Sequence, residues 1–294
     1  MIKLAYINYW KDPRNDNYFT EYLRYHFGPT KIVNPNDSPD ILIASCMGNI
    51  NSVKNIKCKL KIFFYGENLD RYPPYNDDTV LQETFNLIVG FKSTNKEKKQ
   101  IRFPLWLIYY PYYDYQTNNN ILNYIQNKYN QNIKKTKKFG CSLIARHDRG
   151  GQRKTIYDIV KKHTIIMCPG KFMNNTKTIG PNHEDKIKYI SEGIFNICPE
   201  NSCYENYFTE KIFQAFEGGT IPIYWAIDYP EVDILNKNKY IFCNFKNINN
   251  LDNQIISFLD NQAKNKDESI FVKNANIIIK EYYTTLKNEI KNNL

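Results

Sequence analysis

The chain opens with a short apolar run, Ile2–Asn8, which the pattern predicts as a buried strand. Asp16–Phe27 follows with helical spacing. Ile41–Cys46 and Leu60–Tyr65 are continuous apolar runs that end in turn residues, the mark of parallel strands covered on both faces. Phe85–Phe91 repeats it. Asn118–Asn132 carries Ile121, Leu122, Ile125 and Tyr129 on one helical face. The alternation then becomes more regular. Strands are predicted over Phe139–Ala145, Thr164–Cys168, Ile194–Cys198, Ile221–Trp225 and Tyr240–Phe245. Helices are predicted over Gly151–His163, Asp185–Glu192, Thr209–Glu217, Leu251–Asp260 and Phe271–Ile290. Gly218-Gly219 supplies a stop signal for the third of these helices. Repeated β-α-β units mean parallel sheets with helical crossovers. The expected architecture is α/β: two Rossmann-like domains facing a cleft, spanning 1–136 and 137–262, with residues 263–294 as a C-terminal helix packing across them.

Composition narrows the class. With 294 residues, 42% hydrophobic and 24% charged, the chain can bury a sizeable core, which excludes collagen, wholesale disorder and a disulfide miniprotein. No apolar run reaches the roughly 18–20 residues of a membrane span, and the start does not read as a signal peptide. The seven cysteines are scattered without CxxC spacing, which suggests reduced thiols and a cytoplasmic setting. The four histidines form no zinc-like cluster. The net charge of +10 is local: between Lys92 and Lys138 ten basic residues face two acids. That stretch reads either as a solvated face or as a contact for an anionic surface, such as the inner face of a membrane. No helix-turn-helix, RNP or zinc-finger pattern points to nucleic acid.

The chemistry concentrates in residues 194–226, IFNICPENSCYENYFTEKIFQAFEGGTIPIYWA. A buried strand leads into Glu200-Asn201-Ser202, and Thr209-Glu210-Lys211 opens a helix after Tyr207. A helix N-terminus offers free N–H groups and a positive dipole end to a phosphate. Lys211 adds a cation in the first turn, and Glu210 can accept two vicinal hydroxyls, as on a ribose. On spacing alone the same residues equally fit a helix cap and a solvated lysine.

This stretch resembles the donor-binding signature of the α-1,3/4-fucosyltransferases, with Glu200, Asn201, Ser202, Tyr207, Thr209, Glu210, Lys211, Ala215, Pro222 and Trp225 at matching places. Three shorter stretches agree in order: Phe64-Tyr65-Gly66-Glu67-Asn68, Arg153 ahead of a helix, and Cys168-Pro169-Gly170 with Asn174, Asn175 and Gly180. The style is that of bacterial members. Pro199, Glu205-Asn206 and Ala226 depart from the signature, as do Cys168 and Pro169 in the third short stretch, and residues 1–294 show no pattern like the C-terminal heptads and basic tail of bacterial members.

The resemblance implies an inverting enzyme that moves L-fucose from GDP-β-L-fucose to a sugar hydroxyl, by default the 3-OH of GlcNAc in a Lewis-type N-acetyllactosamine or lipopolysaccharide glycan. It implies Glu67 as general base, Arg153 and Lys211 as diphosphate ligands, and Glu210 on the ribose. Asn201 and Tyr207 would position phosphate and fucose, with Asn174, Asn175 and Lys186 beside the donor. Arg146 and Arg149 are alternative phosphate contacts. The aromatics of Tyr109–Tyr115 are candidates for stacking on acceptor sugars. No cofactor is expected, with a divalent metal at most stimulatory. The alternatives are a transferase for another nucleotide sugar and a non-catalytic carbohydrate-binding protein.

Overall fold

The apolar runs become the inner strands of two all-parallel sheets, each belonging to its own unit, in a computed structural model that describes residues 1–9, 18–110, 120–260 and 268–294. The first unit holds Met1–Asp114 and Ile277–Leu294, and the second holds Tyr115–Asn276. Both sheets are of the expected α/β type.

In chain order the first unit contains β1 (Ile2–Ile7), α1 (Tyr18–Phe27), β2 (Thr30–Ile32), β3 (Ile41–Ala44), α2 (Ile50–Lys54), β4 (Leu60–Tyr65), α3 (Asp78–Thr84), β5 (Leu87–Gly90) and β6 (Gln100–Arg102). The strand order is β2-β1-β3-β4-β5-β6. Leu4 pairs with Ile41, Ile41 with Leu60, Ile62 with Leu87 and Ile88 with Gln100. All four β3 residues are buried, so an unbroken ILIA run is what a strand covered on both faces requires. Aromatic packing fills the core. Phe63 stacks on Tyr65, Tyr75 and Phe85 at centroid distances of 5.5, 5.2 and 5.1 Å.

The second unit contains α4 (Ile121–Asn132), β7 (Phe139–Leu143), α5 (Gln152–Val160), β8 (Ile166–Met167), α6 (His183–Ile190), β9 (Gly193–Ile197), α7 (Glu210–Glu217), β10 (Ile221–Tyr224), β11 (Ile241–Phe242) and α8 (Asn250–Asp260). Its strand order is β11-β10-β9-β7-β8. The chain moves from β7 outward to β8, then returns past β7 to start β9. The order therefore reverses between β7 and β9, and in such sheets ligands bind beyond the carboxyl ends of the strands at that reversal.

The boundary differs from the expected 136. α4 belongs with the second unit because it packs on α7: Asn132 Nδ2 donates to Glu217 O at 2.7 Å, and Tyr129 meets Phe216 edge-on at 6.1 Å. The last helix, α9 (Ala275–Asn293), joins the first unit from Ile277 onward rather than forming a separate segment from 263. Its fully buried Tyr283 packs against Tyr22 and Phe103, and its carbonyl accepts from the Tyr22 hydroxyl at 2.6 Å. Asp16, Asn118 and the Tyr112–Tyr115 part of the proposed stacking aromatics lie outside the described residues.

At the base of α7, the stop signal is real. Gly218 caps the helix and Gly219 takes φ +66°. A Cβ on Gly219 would stand 2.3 Å from the Ile133 backbone nitrogen. Lys137 fixes the same corner. Its ammonium donates to the carbonyls of Asn132, Ser191 and Gly219, at 3.3, 3.1 and 2.9 Å. One cation thus meets the negative ends of α4, α6 and α7 together.

Candidate active site

The turns after β7 and β9 meet at the strand-order reversal. After β7 the chain passes through His147 and Asp148, and Asp148 caps α5. Its carboxylate accepts from the backbone N–H of Arg153 at 3.2 Å and of Lys154 at 2.8 Å. Gly151 makes the tight entry at φ +79°. This cap fixes where Arg153 starts, and the side chain is then locked. Arg153 is buried, with one guanidinium nitrogen donating to His147 O at 2.6 Å and another to Asn201 Oδ1 at 2.7 Å. Asn201 lies in the turn after β9, so that bond joins the two strand ends. Burial lowers the Arg153 pKa, against Asp148, Glu200 and Tyr207, which raise it. Tyr207 is itself buried at 3% exposure.

The second knot sits at the start of α7. Glu200 is completely buried. Its Oε1 accepts from the Thr209 backbone N–H at 2.8 Å and from the Tyr224 hydroxyl at 2.7 Å. Its Oε2 accepts from Lys211 Nζ at 2.9 Å, and the Thr209 hydroxyl lies 2.8 Å from both oxygens. Lys211 therefore is not the loosely held cation suggested by its place in a first turn: it is clamped between Glu200 and Thr209 Oγ1, with Glu210 at 3.9 Å. Burial pulls the Glu210 carboxyl up, and Lys211 and Lys186 together bring it below its ordinary value, so it stays ionised. Lys186 reaches the group from α6 and donates to Gln214 Oε1 at 2.6 Å. Burial is the main cause of its lowered pKa, with Glu210 opposing.

The structure thus gathers Arg153 with Asn201 and Tyr207 at the reversal, and Lys211 with Glu210 and Lys186 at the head of α7. Asn174 and Asn175 bond the backbone of their own loop. Asn175 accepts from Cys168 N at 2.7 Å and donates to Ile166 O at 2.8 Å, while Asn174 donates to Cys168 O and Thr176 O. Both amides tie the loop to the end of β8. Gly170 explains why that loop lies so close to the one after β7: a Cβ there would be 2.4 Å from Ala145 O.

Sequence reasoning quoted Glu200 as part of a motif without giving it a role. The available signal was a glutamate directly after a buried strand, with a tyrosine in the next strand positioned to bond it. Asp148 was missed as well, although an aspartate just ahead of a helix is a capping signal.

In the first unit, Glu67 follows β4, two residues beyond Tyr65. Gly66 allows this turn because a Cβ would collide with Leu105 at 2.3 Å. Asn68 then caps the short helix Leu69–Arg71. The Glu67 carboxylate is about one-third exposed and lies 3.8 Å from the Arg71 guanidinium. Cys46 and Tyr72 border it. Burial, with the nearby Glu67 charge, pushes the Cys46 thiol up to about 11. Among the described residues no group of three or more His, Cys, Asp or Glu side chains gathers as a metal site.

Known proteins share this fold. The chain resembles an α1,3-fucosyltransferase crystal structure with a TM-score of 0.69 at 19% identity, covering 98% of this chain and 90% of that one. A structure of α1,3-fucosyltransferase with GDP-fucose matches at 0.66 and 21% identity, over 97% and 90% of the two chains. These likenesses show a shared fold. A curated relative, alpha-(1,3)-fucosyltransferase FucT of Helicobacter pylori, is 24% identical over 86% of this chain. This chain spans 56% of that relative's length. Residues 4–109 match the family model for the N-terminal domain of alpha-(1,3)-fucosyltransferase FucT. Residues 133–271 match the C-terminal model of glycosyltransferase family 10 (fucosyltransferase). The two models describe the two halves of one kind of protein and take in most of both units, and the chain belongs to the glycosyltransferase family 10 fucosyltransferases.

Proposed function

We propose that the protein transfers L-fucose from GDP-β-L-fucose, with inversion, to the 3-hydroxyl of GlcNAc in an N-acetyllactosamine-type glycan such as those of bacterial lipopolysaccharide. The observation that carries the reading is the Arg153–Asn201 bond at the strand-order reversal, beside an α7 terminus that holds Lys211 and Glu210. Family membership and the GDP-fucose complex of a structural relative support it.

In this mechanism Glu67 takes the proton of the acceptor hydroxyl. The hydroxyl oxygen forms a bond to the fucose anomeric carbon on the face opposite GDP, and the bond from that carbon to the β-phosphate oxygen breaks. The electron pair leaves with GDP. Arg153 and Lys211 stabilise the growing diphosphate charge, since fixed cations need little rearrangement in the transition state. Lys211 keeps Glu200 and Thr209 as partners and directs a further N–H toward phosphate oxygens. Glu210 accepts the ribose hydroxyls, and Tyr207 and Asn201 set the orientation of donor. With these cations in place, added divalent metal is expected to stimulate at most. The reaction is proposed to take place on the cytoplasmic side of the membrane, in keeping with the scattered, unpaired pattern of cysteines.

Calorimetry in EDTA with GDP, GDP-fucose, GDP-mannose and UDP-galactose tests the donor. GDP and GDP-fucose should bind and UDP-galactose should not. Arg153→Ala should weaken GDP at least about tenfold, or about 1.4 kcal/mol. Binding of the UDP sugar in preference would move the protein to another donor. Glu67→Gln should cut kcat by about 10²–10⁴ with GDP affinity retained; near-normal turnover would remove Glu67 as base.

A further inference from the structure

A cavity of about 230 Å3 opens at the far end of the second sheet, where the strands begin rather than where they end. Ile194 and Ile221, at the starts of β9 and β10, give it an apolar wall together with Phe258 of α8. Four lysines line the same space: Lys134, Lys135, Lys137 and Lys239. No acidic residue is among the described residues that line it. These are the last members of the basic stretch that the sequence concentrates between Lys92 and Lys138, joined by one lysine a hundred residues on.

The charges are not merely solvated. Lys239 is 4% exposed, and its ammonium lies 3.7 Å from Glu268, a carboxylate more than half exposed. The Lys137 ammonium is already committed to its three carbonyls. Burial, with repulsion from Lys135, pushes it down to about 8. One buried ammonium, Lys239, with the exposed Lys134 and Lys135 beside the same apolar wall, favours a ligand that brings both a compact anion and a hydrocarbon portion. A nucleotide is a poor fit here, because its polar base would have to cover Ile194, Ile221 and Phe258.

We propose that this cavity binds a phosphate-bearing amphiphile, with the phosphate held by Lys134, Lys135 and Lys239 and the carbon chain laid on Ile194, Ile221 and Phe258. Lysine suits phosphate as a point charge without fixed geometry. Two sources share this chemistry: the headgroup and first carbons of an anionic lipid, and a free phosphorylated amphiphile. The site lies at the opposite end of the strands from the donor residues and does not rest on the proposed transfer reaction.

The test uses octyl phosphate, inorganic phosphate and octyl glucoside as calorimetric probes of the full chain. Octyl phosphate should bind at least tenfold tighter than either of the others. Lys134→Glu with Lys135→Glu, both at exposed positions, should weaken octyl phosphate at least tenfold while GDP affinity and melting temperature stay unchanged. Flotation with phosphatidylglycerol vesicles then separates the sources. Vesicle binding displaced by octyl phosphate assigns the lipid; octyl phosphate binding without vesicle binding assigns the free amphiphile, and both support the site. Unsaturable octyl phosphate binding, equal binding of octyl glucoside, or full affinity in the double variant would overturn it.

Discussion

Replacing Glu200 by Gln should unsettle the whole second unit. The change keeps the shape and removes one charge. Glu200 is fully buried, accepts from Thr209 and Tyr224, and holds the Lys211 ammonium at 2.9 Å. A glutamine oxygen can still serve Tyr224 and the Thr209 N–H. Its amide nitrogen must then face the Lys211 ammonium, donor against donor. Lys211 keeps only Thr209 Oγ1 and the more distant Glu210 among these partners. Removing one member of a buried ion pair costs about 3–5 kcal/mol, and the retained hydrogen bonds place this case near 3. For a unit of this size each kcal/mol shifts Tm by about 2–4 °C, so the second unit should melt about 6–12 °C lower. Scanning fluorimetry reads this directly. GDP affinity should fall as well, because Lys211 loses its anchor. The decisive comparison is the cycle with Lys211→Met. If the carboxylate's main task is to hold that ammonium, the double variant should recover at least about 1.5 kcal/mol relative to the sum of the singles. Strict additivity, or an E200Q protein melting within about 1 °C of wild type, would refute the reasoning.

Other outcomes follow from single contacts. Gly219→Ala should destabilise by at least about 2 kcal/mol in urea titrations, since it combines a left-handed φ with backbone overlap at Ile133. The Lys137 pKa is lowered in the folded state, so folding opposes its charge. That cost is complete below about pH 8 and fades as pH rises toward the ordinary lysine value. The stability of wild type relative to Lys137→Met should therefore increase between pH 7.5 and pH 10, and a gap that shrinks would contradict the burial account.

Much of the fold could be read from the sequence because the inner strands are covered on both faces. Runs such as ILIA and LKIFFY have no other economical home, and α7 shows its buried face through Ile212, Phe213, Ala215 and Phe216. The parts that escaped are short. β2 and β6 have three residues each at the sheet edges, and α2 has five, too few for any period to register. In the site, Arg153 was found through a motif, but its bond to Asn201 across 48 residues depends on the strand-order reversal. The clamped state of Lys211 was hidden for the same reason: first-turn lysines are ordinarily solvated, and only the burial of Glu200 makes this one a fixed charge. The bonds of Asn174 and Asn175 to Cys168, Ile166 and Thr176 were not legible either, because an exposed amide pair in a loop reads the same whether or not it ties down its own backbone.

The first unit is closed by a helix that arrives late. Residues 115–276 form the second unit without interruption, whereas the first waits for Ile277–Leu294. On a ribosome adding about 5–20 residues per second, roughly 8–30 s separate Asp114 from Ile277. During that interval Tyr22 and Phe103 lack the Tyr283 ring that covers them, and the second unit gains its last residue, Asn276, before the first gains Tyr283. The order of maturation should thus run against the order of synthesis, with the first unit remaining a client for chaperones until the second is finished. A chain stopped before Ile277 would hold every residue of the second unit and only part of the first.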